Sequence, residues 1–263
     1  MDSVLLEIKD GVGYLTLNRP ESMNAMDEAL LGDLVEGLNA CGADQAVRVV
    51  VLQGAGRAFC AGGDVRWMLE TQRSDPDWPA CIHALGGQLN RVIMQIRELP
   101  KPVLAAVHGF AIGAGFSLAL ACDLRLAASG TRFIQAYVNV GLNPDGGSTY
   151  FLTELLGPAK ALDLIFSGRV VEAAEALELG LLNEVTPPEE LAAKAAQLAG
   201  RMAKGPVLAY GHAKKLVYEA SRQTLQAQLV LEQKSIVSTT TSQDFREGLA
   251  AFAEKRKPVF KGK

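Results

Sequence analysis

The chain has 263 residues, a length that suits one large domain or one domain with a small extension. It is 49% hydrophobic and 21% charged, so it can bury a sizeable core and is not disordered. Its net charge of -3 leaves no basic excess to neutralise many phosphates, which argues against a role in coating nucleic acid.

The cysteine and histidine pattern excludes the common metal and redox motifs. The four cysteines are irregularly spaced with no C-x-x-C pair, and the three histidines form no H-x-x-x-H pair. No secretory signal is visible at the start of the sequence. These features predict a cytoplasmic protein with free thiols and no bound metal.

Short apolar runs predict that the first half of the chain is a layered α/β core. Helical spacing of leucines begins at Asp27, and a second apolar helical pattern precedes Pro100. Strands that are apolar throughout are covered on both faces, which is typical of α/β folds. The strands are expected at 4–8 and 12–17, joined across a turn at Asp10-Gly11, and at 47–52, 102–107 and 123–128.

After Pro144 the pattern becomes helical. Helices are expected at 148–156, 158–166, 172–179, 188–204, 207–220, 225–237 and 244–256. This change predicts a core at 1–200 and a helical region at 201–263. Exposed apolar faces in such a region commonly pair with copies of the same chain.

An uncharged stretch at 103–122 is long enough to cross a bilayer and contains a G-x-x-x-G motif. However, His108 and Ser117 lie within it, and Asp123 follows it directly. These polar residues favour a buried strand, a glycine loop and a buried helix. We therefore expect no membrane segment.

Two glycine-rich turns, at 54–64 and 108–116, each follow a predicted buried strand. Glycine lets backbone amides approach a ligand closely, and the start of a helix presents N–H groups without partners. Two such donors converging from separate loops would form an oxyanion hole, whereas the alternative is that both turns are plain tight connections. A dinucleotide-binding fingerprint fails because Phe59 stands where its third glycine is required.

Three further residues could serve either chemistry or structure. A nucleophile elbow around Ser117 is incomplete, and His212 would complete a catalytic triad only by coincidence of folding, so Ser117 is predicted to be a small buried helix residue. Asp145, in a third glycine-rich loop, is well placed to cap the helix that follows, and this structural role competes with a chemical one. Tyr137, taken alone, is an ordinary packed aromatic residue.

Several segments, in order along nearly the whole chain, resemble the crotonase (enoyl-CoA hydratase/isomerase) superfamily. They are 17–20 with 24–25, then 56–64, 102–109, 111–115, 121–123, 141–147, and 247–248 with 251–256. The resemblance implies a crotonase spiral of ββα units with a C-terminal helical trimerisation region. It also implies a homotrimer or a dimer of trimers, with an acyl-CoA thioester as substrate and no other cofactor.

The resemblance further implies that two backbone amides hold the thioester oxygen. Carried onto the matching positions, these donors are the N–H groups of Ala61 and Ala114, which would stabilise the enolate formed when the thioester loses a neighbouring proton. The two glutamates of hydratases in this family fall at Ser117 and Tyr137, so neither carboxylate is present. Without them, the activation of water by a hydratase is hard to explain.

The Pro144-Asp145 pair resembles a subgroup of phenylacetate-pathway isomerases, which shift double bonds or open an epoxide on a ring-bearing acyl-CoA. One carboxylate suffices for an isomerase, because it can take a proton from one carbon and return it to another. Asp145 is therefore the predicted catalytic base, which leads to the hypothesis of an acyl-CoA isomerase.

Three alternatives remain open at this point. The first is an enoyl-CoA hydratase that uses Asp145 alone. The second is an aryl-CoA dehalogenase, in which Asp145 is the nucleophile and the place of a helper histidine is occupied by Asn90. The third is a non-catalytic member that binds acyl-CoA.

The resemblance also assigns a pocket and a coenzyme A site. The pocket residues would be Tyr137, Ser117, Asp64 and Asn90. Coenzyme A would contact the backbone around Met23, Asn24 and Ala25 and the segment of Ala58, Phe59 and Ala61. Phe252 and Lys255 of the last helix would also reach it, often from a neighbouring subunit. A cation such as Lys255 suits a phosphate.

Overall fold

A computed structural model describes residues 1–263 as nine strands, eleven α-helices and three short 3₁₀ turns. The strands are β1 (Val4–Lys9), β2 (Val12–Leu17), β3 (Val49–Gly54), β4 (Val103–Val107), β5 (Phe110–Ile112), β6 (Leu124–Ala128), β7 (Arg132–Ile134), β8 (Val170–Glu172) and β9 (Glu184–Thr186). The helices are α1 (Glu28–Ala43), α2 (Val65–Ser74), α3 (Trp78–Glu98), α4 (Ala114–Ala121), α5 (Ser148–Leu156), α6 (Pro158–Ser167), α7 (Ala173–Glu178), α8 (Leu191–Ala203), α9 (Val207–Ala220), α10 (Leu225–Thr240) and α11 (Gln243–Ala253). The 3₁₀ turns are Pro20–Ser22, Ala136–Val140 and Pro188–Glu190.

The strands form two sheets. The larger has six strands in the order β1-β2-β3-β4-β6-β9, and the smaller has three in the order β5-β7-β8. In the larger sheet β1 and β2 are antiparallel and every other pair is parallel. The predicted hairpin is confirmed, because Asp10 and Gly11 both adopt positive φ angles, of 51° and 79°, as a tight two-residue turn between twisted strands requires.

The central strand β3 is buried on both faces, as its unbroken apolar sequence predicts. Val50 and Leu52 point into the main core of 43 residues, whereas Val49 and Val51 point into a second cluster of 11 residues. Helix α8 covers this second face with Leu191 and with alanines that recur every four residues, at 195, 199 and 203. Small side chains at helical spacing let α8 lie close against the sheet.

The prediction that the chain is purely helical after Pro144 is wrong in two places. The strands β8 and β9 lie in that stretch, and β9 adds an edge to the large sheet by pairing with β6. Each has three residues, which is too short to show the alternation that identifies a strand. The sequence also gave no signal for β5 and β7, for the same reason.

The uncharged stretch at 103–122 folds as the strands β4 and β5 followed by helix α4, whose eight residues are all buried. No helix of the chain is both long enough and apolar enough to cross a membrane.

The last three helices, α9 to α11, leave many apolar side chains in solvent. Helix α9 is anchored to the core by Lys214, whose Nζ lies 2.9 Å from a carboxylate oxygen of Asp123. Beyond that anchor the exposed apolar residues include Val217, Leu225, Leu229, Ile236, Val237, Leu249 and Phe252.

Candidate active site

The two glycine-rich turns lie side by side and are hydrogen-bonded to each other. The N–H of Cys60 donates to the carbonyl oxygen of Phe110 over 3.0 Å, and the N–H of Ile112 donates to the carbonyl oxygen of Cys60 over 3.0 Å. The approach is so close that a Cβ on Gly115 would lie 2.3 Å from the Cys60 carbonyl oxygen. Glycine is therefore required at this position, because any side chain would separate the two turns.

Of the residues in these two turns that line a shared cavity, two have backbone amides with no hydrogen-bond acceptor within the chain. One is the N–H of Ala114, the first residue of α4, where the helix geometry offers no partner. The other is the N–H of Gly63, between Gly62, whose carbonyl accepts from Met26, and Asp64, whose N–H donates to Met26. Both Gly63 and Ala114 line the same cavity.

The amide of Ala61 is not a free donor, contrary to the prediction. Its N–H donates to the carbonyl oxygen of Met23 over 2.9 Å. Ala61 still lines the cavity, but the cavity-lining residue of this turn whose amide is unpaired is Gly63, two residues further along.

The cavity has a volume of about 390 Å³ and is mostly apolar. Of its 21 lining residues, 14 are hydrophobic, and Asp145 is the only charged one. Besides the two turns, the lining is formed by Met26, Leu31, Val65, Met68, Ile82, Leu85, Gly86, Leu89, Ala136, Tyr137, Asn139, Val140, Leu142 and Asn143. A pocket of this size with few polar groups is typical of a small-molecule site.

Asp145 is held by Tyr137 and does not cap a helix. The hydroxyl of Tyr137 donates to Oδ1 of Asp145 over 2.6 Å, whereas Oδ2 has no partner in the chain. Helix α5 begins after Gly147, with no side chain capping it. Burial, and secondly the charge of Asp145, raise the pKa of Tyr137 well above its usual range, so the phenol stays protonated and remains a donor.

Ser117 supports this pair from behind. Its Oγ donates to the backbone carbonyl oxygen of Asp145 over 3.1 Å and lies 3.2 Å from the Tyr137 hydroxyl oxygen. Gly146, at a positive φ of 57°, passes so close that a Cβ there would lie 3.0 Å from the Cβ of Ser117. A small side chain at Ser117 and a glycine at 146 together let the Asp145 loop rest on α4.

Of the four residues predicted to form the pocket, Tyr137 lines the cavity and three do not. Ser117 is fully buried behind Tyr137, as its alternative role in the helix predicted. Asp64 caps α2, where one carboxylate oxygen accepts from the N–H groups of Arg66 and Trp67, and it also pairs with an arginine. Asn90 is exposed on α3, outside the cavity.

The segments predicted to contact coenzyme A through their backbone carry side chains that mostly serve the fold. The amide nitrogen of Asn24 is buried within hydrogen-bond distance of the carbonyl oxygens of Ala55, Ala58 and Phe59, at 2.8 to 3.1 Å. Ala58 and Phe59 are themselves fully buried. Met23 and Ala25 flank Asn24 and contribute backbone carbonyls to this region. This interior role of Asn24 was missed, because its amide reaches residues 31 to 35 positions away in sequence.

Phe252 and Lys255, near the end of the chain, do not line this cavity. Phe252 is 86% exposed, and Lys255 is exposed just beyond α11. Elsewhere in the molecule, no group of three or more histidine, cysteine, aspartate or glutamate residues is placed to hold a metal ion.

Comparison with known proteins assigns the family. The enoyl-CoA hydratase/isomerase family matches residues 7–263. The 1,2-epoxyphenylacetyl-CoA isomerase of Escherichia coli K12 is 38% identical, with 100% of both chains covered, and the trans-2-decenoyl-[acyl-carrier-protein] isomerase of Streptococcus mutans is 34% identical, with 99% of this chain and 98% of the relative covered. A crystal structure of an enoyl-CoA hydratase from Polaromonas sp. JS666 matches with a TM-score of 0.92 at 37% identity, covering 98% of this chain and 99% of that one. The chain therefore belongs to the enoyl-CoA hydratase/isomerase, or crotonase, family and has its fold.

Proposed function

We propose that this protein is an acyl-CoA isomerase in which Asp145 carries a proton between two carbons of the acyl group. One observation carries the proposal: a single carboxylate faces the same apolar cavity as two unpaired backbone amides. An isomerisation needs one group that accepts and returns a proton, together with stabilisation of the anion formed in between.

The amides of Gly63 and Ala114 would bind the thioester oxygen. When a carbon beside the thioester loses a proton, negative charge develops on that oxygen, and fixed N–H donors stabilise it. Loss of one such donor typically costs about 2.7–4 kcal/mol of transition-state stabilisation. Because the lining is apolar, water competes weakly for these donors, which increases their effect.

Asp145 would remove a proton from one carbon and deliver it to another, leaving the acyl mass unchanged. Its Oδ2 has no partner in the chain and is the oxygen that would accept the proton. Tyr137 holds Oδ1 and thereby fixes the orientation of the carboxylate. The same proton transfer shifts a double bond in an enoyl-CoA. On a ring-bearing acyl group it would accompany an epoxide isomerisation, in which a bond of the epoxide ring breaks, a new double bond forms and the mass is unchanged.

The relatives include isomerases, from Escherichia coli and Streptococcus mutans, as well as hydratases, so the preference for isomerisation rests on the site itself. Hydration is the second candidate, because Asp145 is exposed enough for water to reach it. The absence of a carboxylate at Ser117 and Tyr137 weighs against hydration, since only one acid or base then remains to handle both water and the proton. A non-catalytic acyl-CoA-binding role and a dehalogenase role for Asp145 fit this site less well, the latter because Asn90 lies outside the cavity.

Assembly into a trimer or a dimer of trimers completes the proposal. The exposed apolar residues of α9 to α11 suit contacts between copies of the chain. Such contacts would bring Phe252 and Lys255 of one subunit towards the coenzyme of another, where the lysine suits a phosphate. We further propose a cytoplasmic enzyme with no cofactor other than the coenzyme A of its substrate.

A panel of thioesters tests the function. The wild type is incubated with 3-enoyl-CoA, 2-enoyl-CoA and phenylacetyl-derived CoA esters, and products are followed by mass and absorbance. An isomerase gives a product of unchanged mass with altered absorbance, whereas a gain of one water establishes a hydratase. Asp145→Asn, which keeps the shape but not the base, should remove turnover and leave coenzyme A binding intact. Tight binding without turnover on every thioester would establish a non-catalytic protein.

A further inference from the structure

A second cavity, of about 500 Å³, lies between α3, α5 and α9, and it shares none of its lining residues with the site above. Its walls combine buried apolar side chains, such as Ile93 and Phe151, with the rings of Tyr150 and Tyr218. Arg97 also lines it, together with other cations. Apolar walls with a charged group at one side are typical of a site for a small amphiphilic molecule.

Arg97 is half-buried in this cavity without any acceptor. Its guanidinium carbon lies 3.1 Å from the ring centroid of Tyr218 and 5.1 Å from that of Phe151, so its position is fixed between two rings. No carboxylate pairs with it and none of its N–H groups donates to an atom of the chain. By contrast, the buried Arg125 donates to the carbonyl oxygens of Leu181 and Cys122.

The neighbouring charges leave a positive excess in the cavity. Lys214 is fully engaged, because its Nζ lies 2.9 Å from Asp123 and also donates to two backbone carbonyls. Lys215 has no partner, and Arg222 lies only within 3.8 Å of Glu219. With Lys214 paired to Asp123, the lining keeps three cations, Arg97, Lys215 and Arg222, against the two carboxylates of Glu98 and Glu219, in a chain whose net charge is -3.

From this arrangement we propose a second binding site, for an organic carboxylate with an apolar body. The planar fork of Arg97 matches the two oxygens of a carboxylate, and its stacking on Tyr218 holds it ready, so little freedom is lost on binding. The apolar body lies along Ile93 and Phe151. The carboxylate can come from an aliphatic or an aromatic acid. This second site does not depend on the function proposed for the first cavity.

Isothermal titration of the full-length protein tests the site with three probes: sodium octanoate, sodium phenylacetate and inorganic phosphate. We expect one or both carboxylates to bind more tightly than phosphate, and the better of the two identifies the source. Arg97→Gln should weaken that binding about 10-fold or more, since a charge-assisted pair is lost. Arg97→Lys, which keeps the charge but not the fork, should show an intermediate loss. Lys234→Gln removes an equivalent charge from exposed α10 and should change nothing.

Three results would overturn the proposal. The first is that the wild type and Arg97→Gln bind the carboxylates with the same affinity. The anions would then bind at another place, such as the first cavity. The second is the absence of any binding to the wild type at millimolar concentrations. The third is a change in subunit number in Arg97→Gln, seen by light scattering, because this face then lies between copies of the chain. If Arg97→Gln does not fold, Lys215→Gln at the exposed rim replaces it, with an expected loss of a few-fold.

Discussion

The hydroxyl of Tyr137 donates a hydrogen bond of 2.6 Å to Oδ1 of Asp145, in a cavity where no other side chain is charged. This donor is neutral and stays protonated, because burial and the adjacent carboxylate raise the pKa of Tyr137. One oxygen of the carboxylate is therefore fixed by a donor that does not itself lose its proton. The bond gives Tyr137 a role that its position in sequence, at the place of a missing glutamate, did not indicate.

Removing this hydroxyl should slow catalysis more than it weakens substrate binding. In Tyr137→Phe the carboxylate of Asp145 loses a charge-assisted hydrogen bond, and we expect kcat to fall about 10- to 100-fold with little change in KM. Steady-state kinetics on the best thioester of the panel measure both constants. Tyr210→Phe, which deletes a hydroxyl outside the cavity, is the matched control. An unchanged kcat in Tyr137→Phe would show that Asp145 needs no positioning.

The amide of Ala114 can be deleted with little damage to the fold. Ala114 is the first residue of α4, the helix position that accepts proline best, because its N–H has no helical partner. Ala114→Pro should lower kcat by about 100- to 1000-fold through loss of one oxyanion donor. Glu28→Pro makes the same change at the exposed start of α1 and should keep full activity. Comparable losses in the two variants would refute a special role for the Ala114 amide.

Asn24 should contribute to the stability of the fold independently of any substrate. Asn24→Ala removes the buried amide that satisfies the carbonyls of Ala58 and Phe59, and it places alanine at a positive φ of 57°, which asparagine tolerates better. We expect the free energy of unfolding to fall by about 2–4 kcal/mol in urea denaturation. Asn90→Ala, at an exposed site on α3, should be neutral. Equal midpoints for the two variants would contradict this assignment.

The cysteines should differ sharply in reactivity. Burial raises the pKa of Cys60 and of Cys122 to about 12 and that of Cys41 to about 11, so at pH 8 almost none of these thiols is the reactive thiolate. Cys81 is only partly buried, although desolvation and the neighbouring Asp75 also raise its pKa. Titration with a disulfide reagent should find one slow thiol in the native protein and four after denaturation. The rate should rise with pH, and Cys81→Ser should abolish the native reaction.

Much of the fold follows from the sequence, and the limits have physical causes. The apolar run of β3 and the Asp10-Gly11 turn were predictable, because their patterns are local. The strands β8 and β9 were not, since three residues carry no periodicity and their pairing is decided by distant partners.

The candidate site likewise has features that the sequence predicted and features that it did not. Asp145 and Ala114 were predicted from family motifs, and both line the cavity. The sequence could not show that the free amide belongs to Gly63 and not to Ala61. The two amides differ only in that the carbonyl oxygen of Met23 accepts from Ala61, which side-chain types do not reveal. The hydrogen bond from Tyr137 likewise depends on how the loop bearing Asp145 folds back onto α4.

The hydrogen bonds between the two glycine-rich turns also affect how such a protein can change during evolution. Because Cys60 is bonded through its main chain to both Phe110 and Ile112, the spacing of the amides at Gly63 and Ala114 is set by the backbone and not by the residues that line the cavity. Substitutions at lining positions such as Leu85 or Met68 can therefore change the shape of the cavity without moving the amides of Gly63 and Ala114. Under the proposed function, a change in acyl preference is therefore separable from a change in reaction type, which would depend on the acids and bases around the acyl group, including Asp145.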